Sequence, residues 1–261
     1  AKSQRARILA AVLIAGVPMG ITFNMAYSES PFGALSIWAL VAIMDRRWLL
    51  AGLLVFATGL TRITAVDVML VLFLAVLTTD RKNWRGWLAT LLSPLGLLWY
   101  LWWSSSYLTH IGGYFGMQRE GWNSAFDWGI ATWKFATFTM FASRELGYFL
   151  SVAVMIAFVF IVAGSFRKLP WQIWVFSAAV AANILLSDGI MHSRPRLLIP
   201  AYLLLLPLVF FFARRLSTPA QITIAVSWLL WGAWFGAYML GVFPWAIWRI
   251  TIRPVSTAIS A

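Results

Sequence analysis

The sequence predicts an all-α, polytopic integral membrane protein with about nine transmembrane helices. Of its 261 residues, 62% are hydrophobic and 11% are charged, whereas a soluble domain carries about 25% charged residues. The mean hydropathy is +0.82. A helix needs about 20 apolar residues to cross a hydrocarbon core, so the chain has room for about nine spans with their loops. This composition excludes a soluble enzyme, a nucleic-acid-binding domain and a disordered tail.

Nine apolar runs fit this expectation, and we interpret them as one membrane domain covering residues 1–261. The second, third and fourth runs are short, so tilt, re-entrant geometry or flanking residues must complete them. The chain starts at Ala1 rather than Met, which favours the C-terminal portion of a longer chain. The runs cover residues 8–26, 31–44, 48–61, 63–78, 87–108, 145–164, 171–187, 197–213 and 220–243.

The basic residues predict the orientation of these spans. With the N-terminus in the cytoplasm, 12 of the 20 basic residues fall in short clusters beside the inner ends of spans, as the positive-inside rule requires. The net charge of +12 is then explained by topology and contact with anionic lipid rather than by nucleic acid. The inner residues are Lys2, Arg5, Arg7, Arg46, Arg47, Arg81, Lys82, Arg85, Arg167, Lys168, Arg214 and Arg215.

Charged residues on the outer side point to a site there. Most acidic residues fall on this side, and Arg62, Arg119, Arg194 and Arg196 lie there against the positive-inside bias. Arg249 and Arg253 also fall on the outer side. The chain has no cysteine, which excludes disulfides, thiolate metal sites and a cysteine nucleophile.

Two short outer motifs each allow a structural and a functional interpretation. In Tyr27–Pro31, Glu29 either caps the next helix or contacts a substrate hydroxyl or an acceptor amine. In Thr61–Asp67, Arg62 and Asp67 either neutralise each other at membrane depth, or Arg62 faces a cavity and binds phosphate.

The longest polar stretch predicts an outer loop over residues 104–144. It contains Gln118, Arg119, Trp122 and Asp127 among several glycines and aromatic residues. These aromatic residues form either an interfacial belt or, with the amide, carboxylate and guanidinium groups, a carbohydrate-binding surface. Residues 133–141 are expected to continue as an amphipathic segment on the membrane surface.

A fourth motif precedes the eighth span. His192, Arg194 and Arg196, with Asp188 nearby, predict an anion-binding surface. The alternative is an ordinary membrane-edge loop in which Arg196 extends its head group towards water. The sequence places no second His or Cys near His192, so a metal site is not indicated there.

The ordered motifs resemble one enzyme family over about residues 15–210. They are YSES at 27–30, WLLAGL at 48–53, TRIT at 61–64, YFGMQREGWNSAFDWG at 114–129 and HSRPRLLIPAYLLLLP at 192–207. The chain is similar to the GPI mannosyltransferase II family, and more closely to its bacterial relatives, which are polyprenol-phosphate-sugar glycosyltransferases of the GT-C type.

The resemblance implies transfer of a mannosyl unit from a polyprenyl (dolichyl-type) phosphate donor to a lipid or glycan acceptor. The enzyme would lie in a bacterial plasma membrane, or in the endoplasmic reticulum if eukaryotic, and act on the non-cytoplasmic face. The family's catalytic aspartate lies N-terminal to the YSES-like segment, so we expect it to be missing from this chain. Asp127 and Glu29 are the fallback bases. The predicted donor-binding residues are Glu29, Arg62, Gln118, Arg119, Trp122, Asp127, His192, Arg194 and Arg196.

Two other functional classes fit the same sequence. One is a flippase or transporter of a lipid-linked substrate, and the other is a non-catalytic membrane scaffold subunit. Some GT-C enzymes use a divalent metal, but these residues prescribe no cofactor. The expected partners are the donor, the acceptor and membrane lipids, without nucleic acid.

Overall fold

A computed structural model describes residues 2–242 and shows an all-α architecture. An isolated antiparallel bridge between Phe126 and Ser187 is the one β interaction among these residues. The last predicted span ends at residue 243, which lies outside the described residues, as do Arg249 and Arg253. The helices are α1 (Lys2–Ala15), α2 (Glu29–Met44), α3 (Trp48–Gly59), α4 (Val66–Thr79), α5 (Trp84–Leu92), α6 (Pro94–Tyr107), α7 (Gly113–Trp122), α8 (Ile130–Phe141), α9 (Leu146–Ser165), α10 (Trp171–Leu185), α11 (Arg194–Leu197), α12 (Leu206–Arg215) and α13 (Thr218–Ala237).

Short 3₁₀ and π segments join several of these helices. They are Gly20–Asn24, Ile63–Ala65, Thr109–Ile111, Met191–Ser193, Ile199–Leu205 and the π-helical Tyr238–Val242.

Proline and glycine break several of the apolar runs. The first run contains Gly16 and Pro18, and α1 ends at Ala15 before them. The fifth run is divided at Pro94, which occupies the first turn of α6, where its missing N–H removes no helical hydrogen bond. The eighth run is divided into a 3₁₀ segment that contains Pro200 and then α12.

Helices α2, α3 and α4 run back and forth between two ends of the bundle. Glu29, at the start of α2, pairs with Arg62, which lies between α3 and α4. At the opposite end the Trp48 indole, at the start of α3, donates to the Asp80 carboxylate after α4 at 2.8 Å. The topology predicted from the sequence also puts the loops at these two ends on opposite sides of the membrane.

Small residues allow the backbones of neighbouring helices to approach closely. A Cβ atom at Gly96 would lie 2.1 Å from the Phe56 carbonyl oxygen, and one at Gly52 would lie 2.7 Å from the Ala89 Cβ. These glycines bring α6 and α5 against α3. Close packing through small residues is common between helices in membranes.

The expected count of nine spans is not supported by helix length. Within residues 2–242, two helical segments, Leu146–Ser165 and Thr218–Gly241, are long and apolar enough to cross a membrane. The pair Met191–Leu197 and Ile199–Arg215, bent by 59°, adds a third if it counts as one span. By comparison α3, with 12 residues, is about 18 Å long and does not cover a hydrocarbon core of about 30 Å.

The predicted outer loop is largely helical. Residues 104–107 complete α6, and α7 and α8 occupy most of the remainder up to residue 144. The predicted amphipathic segment corresponds to most of α8, in which Thr139 is buried while Trp133 and Phe141 are strongly exposed. The polar residues of this stretch therefore lie on short helices and in the turns that join them.

Candidate functional site

Three charged side chains from distant parts of the sequence meet where α2 begins. The Glu29 Oε1 atom lies 3.0 Å from the Arg62 Nη1 atom and 3.2 Å from the Arg196 Nε atom. Glu29 is the first residue of α2, Arg62 precedes the short helix at Ile63–Ala65, and Arg196 belongs to α11. We call Glu29, Arg62 and Arg196 the Glu29 triad.

Aromatic rings orient both arginines of the Glu29 triad. The Arg196 guanidinium carbon lies 4.5 Å from the centre of the Tyr27 ring, and that of Arg62 lies 5.8 Å from the centre of the Phe32 ring. Both distances suit cation–π attraction. Tyr27 and Phe32 flank Glu29 in the sequence, so one short segment supplies the carboxylate and both rings.

The Glu29 triad combines an excess positive charge with partial access to solvent. Its two cations and one anion leave a net charge of +1, and the Arg62 and Arg196 side chains are 20% and 19% exposed, against 4% for Glu29. The Glu29 Oε2 atom is buried and accepts no hydrogen bond from the described residues. Two preoriented guanidinium groups with such a charge excess can bind a further anion such as phosphate.

The proposed pairing of Arg62 with Asp67 is wrong. Arg62 pairs with Glu29, and the Asp67 carboxylate accepts a hydrogen bond from the Asn183 side chain in α10. The capping interpretation of Glu29 also fails, because its side chain is held by arginines, while the residue at the cap position is Ser28. Arg196 does not extend freely into water, since it lies between Tyr27 and Glu29.

Asp127 has a clear structural role at the start of α8. Its Oδ1 and Oδ2 atoms accept hydrogen bonds from the backbone amides of Gly129 at 2.9 Å and Ala131 at 2.6 Å. Carboxylates at this position satisfy helical N–H groups that otherwise have no partner. Both oxygens of this fallback base are therefore engaged by backbone amides.

Arg194 links three segments and is not part of the Glu29 triad. Its side chain donates to the Ser187 carbonyl and, at 3.3 Å, to the Thr132 hydroxyl. Only 3% of Arg194 is exposed. The Thr132 hydroxyl in turn donates to the Leu185 carbonyl at 2.6 Å. This buried network fixes α8 and α11 to the end of α10.

The remaining predicted residues are dispersed. On α7, Gln118 is half-buried, whereas Arg119 and Trp122 are exposed. His192 is buried, and its backbone carbonyl accepts from the Ser151 hydroxyl at 3.1 Å. Among the described residues, Gln118, Arg119 and Trp122 make no side-chain hydrogen bond or ion pair with the Glu29 triad.

Tyr114, in the outer stretch, interacts electrostatically with Arg62 of the Glu29 triad. It is buried at the start of α7, with its ring centre 5.6 Å from that of Tyr100. Burial raises the pKa of Tyr114 to about 12, with a contribution from Tyr100, while the positive charge of Arg62 opposes the rise. Sequence reasoning placed Tyr114 in a polar loop and gave no indication of this proximity.

The described residues bring no three His, Asp or Glu side chains together in a way that would hold a metal ion. No family model matches the chain, and neither does any curated protein or solved structure.

Proposed function

We propose that this chain acts in a membrane glycosyltransferase reaction, in which a mannosyl unit passes from a polyprenyl phosphate donor to a lipid or glycan acceptor on the non-cytoplasmic face. The observation that carries the proposal is the Glu29 triad, which supplies two partly exposed arginine side chains and a net positive charge. The sequence resemblance to the GPI mannosyltransferase II family supports the sugar and the lipid carrier.

Exposed apolar faces support a position in the membrane. Phe160 of α9 is 72% exposed and Leu230 of α13 is 65% exposed. In the same two segments, only 28% and 22% of the most apolar windows are buried inside the protein. Large apolar faces of this kind are rare on soluble monomers, whereas hydrocarbon chains solvate them at little cost. We assign α9 and α13 as spans, with the N-terminus in the cytoplasm.

The proposed chemistry uses the arginines of the Glu29 triad to stabilise the leaving group. The acceptor hydroxyl oxygen bonds to the anomeric carbon while the bond between that carbon and the phosphate oxygen breaks, so negative charge grows on the departing polyprenyl phosphate, which takes up the hydroxyl proton. Arg62 and Arg196 would donate charge-assisted hydrogen bonds to it. Glu29 acts as a positioning residue, because it holds both guanidinium groups before the donor arrives. We assign no general base, since arginines engage Glu29 and backbone amides engage Asp127.

A flippase of the same lipid-linked substrate is the second candidate. The observation that favours it is the broken helix pair Met191–Leu197 and Ile199–Arg215, with its bend of 59°. Broken helices often line the substrate site of transporters. Arg196 lies on the first half of this pair, so either function would place the phosphate near the break.

Donor binding by charge-neutralised variants tests the shared part of both candidates. We expect Arg62→Gln and Arg196→Gln each to weaken binding of polyprenyl-phosphate mannose by about 10- to 100-fold, the range for a hydrogen bond to a charged group. Arg144→Gln is the matched control, because Arg144 is exposed and lies outside the Glu29 triad. Unchanged donor binding in both triad variants would overturn the site assignment.

Product analysis then separates the two candidates. Membranes that contain the full protein are supplied with the donor labelled in its sugar. Transfer of the label to a second lipid or glycan supports the transferase. Movement of the intact donor between leaflets without transfer supports the flippase and contradicts the transferase.

A further inference from the structure

A cationic cavity lies at the end of the bundle opposite the Glu29 triad. It has a volume of about 240 Å³, and its lining includes Arg46, Arg47 and Arg85 but no acidic residue. The three arginines come from the α2–α3 connection and the first turn of α5. We call this feature the arginine cavity.

The first turn of α3 also lines this cavity. Leu49 and Leu50 line it, and the Arg47 side chain makes no capping hydrogen bond to this helix start. The first N–H groups of a helix have no partner within the helix, and they carry the positive end of its dipole. The first residues of α3 and three arginines therefore line one concave surface suited to an anion such as phosphate.

Nearby carboxylates compensate only part of this charge. Asp80 Oδ2 accepts hydrogen bonds from the Trp48 indole and the Asn83 side-chain amide, and the charge of Arg46 also acts on this carboxylate. Asp45 lies 4.0 Å from Arg47, and both side chains are more than half exposed. An exposed pair at this distance is weak and is screened by salt.

An apolar strip continues from the arginine cavity along α3. Leu49 and Leu50 belong to the cavity wall, and Leu53, one turn beyond Leu49, is 64% exposed. Trp84, beside Arg85, is also strongly exposed. A phosphate site joined to an exposed apolar strip matches a lipid, which carries an anionic head group and acyl chains.

We propose that the arginine cavity binds the phosphate of an anionic phospholipid whose acyl chains lie along Leu49 and Leu53. This proposal goes beyond the reaction proposed for the Glu29 triad and rests only on the membrane location given with it. The bound lipid would fix the depth of this end of the bundle in its leaflet. Free phosphate shares the head-group chemistry but has no acyl chain to lie on the strip.

Lipid titration of the purified full chain in neutral detergent tests the proposal, with bound phosphatidylglycerol counted by native mass spectrometry. Each basic residue near an anionic lipid contributes about fivefold to affinity. We therefore expect the triple variant Arg46→Gln, Arg47→Gln, Arg85→Gln to bind phosphatidylglycerol about 100-fold more weakly.

A second triple variant is the matched control, because it removes the same charge from residues that do not line the cavity. It combines Arg167→Gln, Arg214→Gln and Arg215→Gln. Equal losses in the two triple variants would overturn the site, as would equal affinity of the native chain for phosphatidylcholine.

Two further measurements distinguish a lipid from free phosphate. Leu53→Asn should weaken binding of long-chain phosphatidylglycerol while leaving a short-chain analogue unaffected, and it leaves all three arginines in place. Inorganic phosphate should compete poorly with the long-chain lipid. Equal affinity for inorganic phosphate and for the lipid, with no effect of Leu53→Asn, would overturn the lipid proposal. Because this assay contains no sugar donor, its outcome is independent of the transferase assay.

Discussion

Replacing Glu29 with glutamine should destabilise the protein more than neutralising either of its arginine partners. Glu29→Gln keeps the shape of the side chain but leaves Arg62 and Arg196 as two adjacent uncompensated cations. Arg62→Gln or Arg196→Gln instead leaves one cation beside one anion, which is a balanced pair. We expect this order of stability losses because both arginines contact a single carboxylate oxygen.

The size of the effect follows from the distances and the burial. Contacts at 3.0 and 3.2 Å correspond to about 5 kcal/mol of attraction each at an effective dielectric constant of about 20. Desolvation of the buried carboxylate offsets much of this, and the partly exposed arginines regain water in the variant. We therefore expect Glu29→Gln to lower the free energy of unfolding by about 2–3 kcal/mol and each arginine variant by about 1 kcal/mol.

Thermal unfolding in detergent, followed by tryptophan fluorescence, measures this order. For a chain of this size, 1 kcal/mol shifts the Tm by about 2–4 °C, so Glu29→Gln should lower the Tm by about 4–12 °C. The combined variant Glu29→Gln, Arg196→Gln should lose less than the sum of its parts, because the residues are in contact. A Tm for Glu29→Gln equal to or above that of both single arginine variants would show that Glu29 does not hold the two arginines together.

Three further predictions concern other contacts. Arg194→Gln should lower the free energy of unfolding by about 1–3 kcal/mol, because a buried carbonyl loses its partner. Thermal unfolding measures this loss, with Arg119→Gln as the exposed control. Equal Tm values for the two variants would contradict the prediction. Asp127→Ala should destabilise the start of α8 by about 1 kcal/mol, and Asp127→Asn by less. Hydrogen exchange at the start of α8 measures this loss. Unchanged exchange in Asp127→Ala would exclude the capping role. Hydrogen bonding, chiefly from Asn83, lowers the pKa of Asp80 below its ordinary 3.8. The ionised Asp80 carboxylate therefore stabilises the folded state above pH 3.8. This stabilisation is lost as the pH falls through the lowered folded-state pKa. The Tm should fall more steeply in acid for the native chain than for Asp80→Asn, and parallel curves would refute the assignment.

Helix type was predictable from the sequence, whereas helix length was not. The apolar runs correctly indicated helices at α2, α3, α4, α9 and α10, because long apolar segments with few breaks favour that structure. Local backbone chemistry then divided other runs, as at Gly16 and Pro18 and again at Pro94. The composition gives the number of apolar residues. Helix length depends instead on these breaks, because they limit how many consecutive residues form one straight helix.

Residues of the candidate site could be selected from the sequence, but the contacts between them could not. Sequence reasoning selected Glu29, Arg62 and Arg196, and the structure brings these three together. One of its two interpretations of Arg62 paired this residue with Asp67, whereas Arg62 pairs with Glu29, because the contact depends on how α2 and α4 pack. Arg194 has the same chemistry as Arg196 and lies two residues away, yet one is buried in a structural network and the other is partly exposed.

Photo-crosslinking with a polyprenyl phosphate that carries a reactive group beside its phosphate would show whether the Glu29 triad binds the donor phosphate. We expect crosslinks to the segments that contain Tyr27, Arg62 and Arg196, with competition by unlabelled polyprenyl-phosphate mannose and a strong decrease in Arg196→Gln. Crosslinks confined to other segments, or crosslinks at these segments that the unlabelled donor does not compete away, would contradict it.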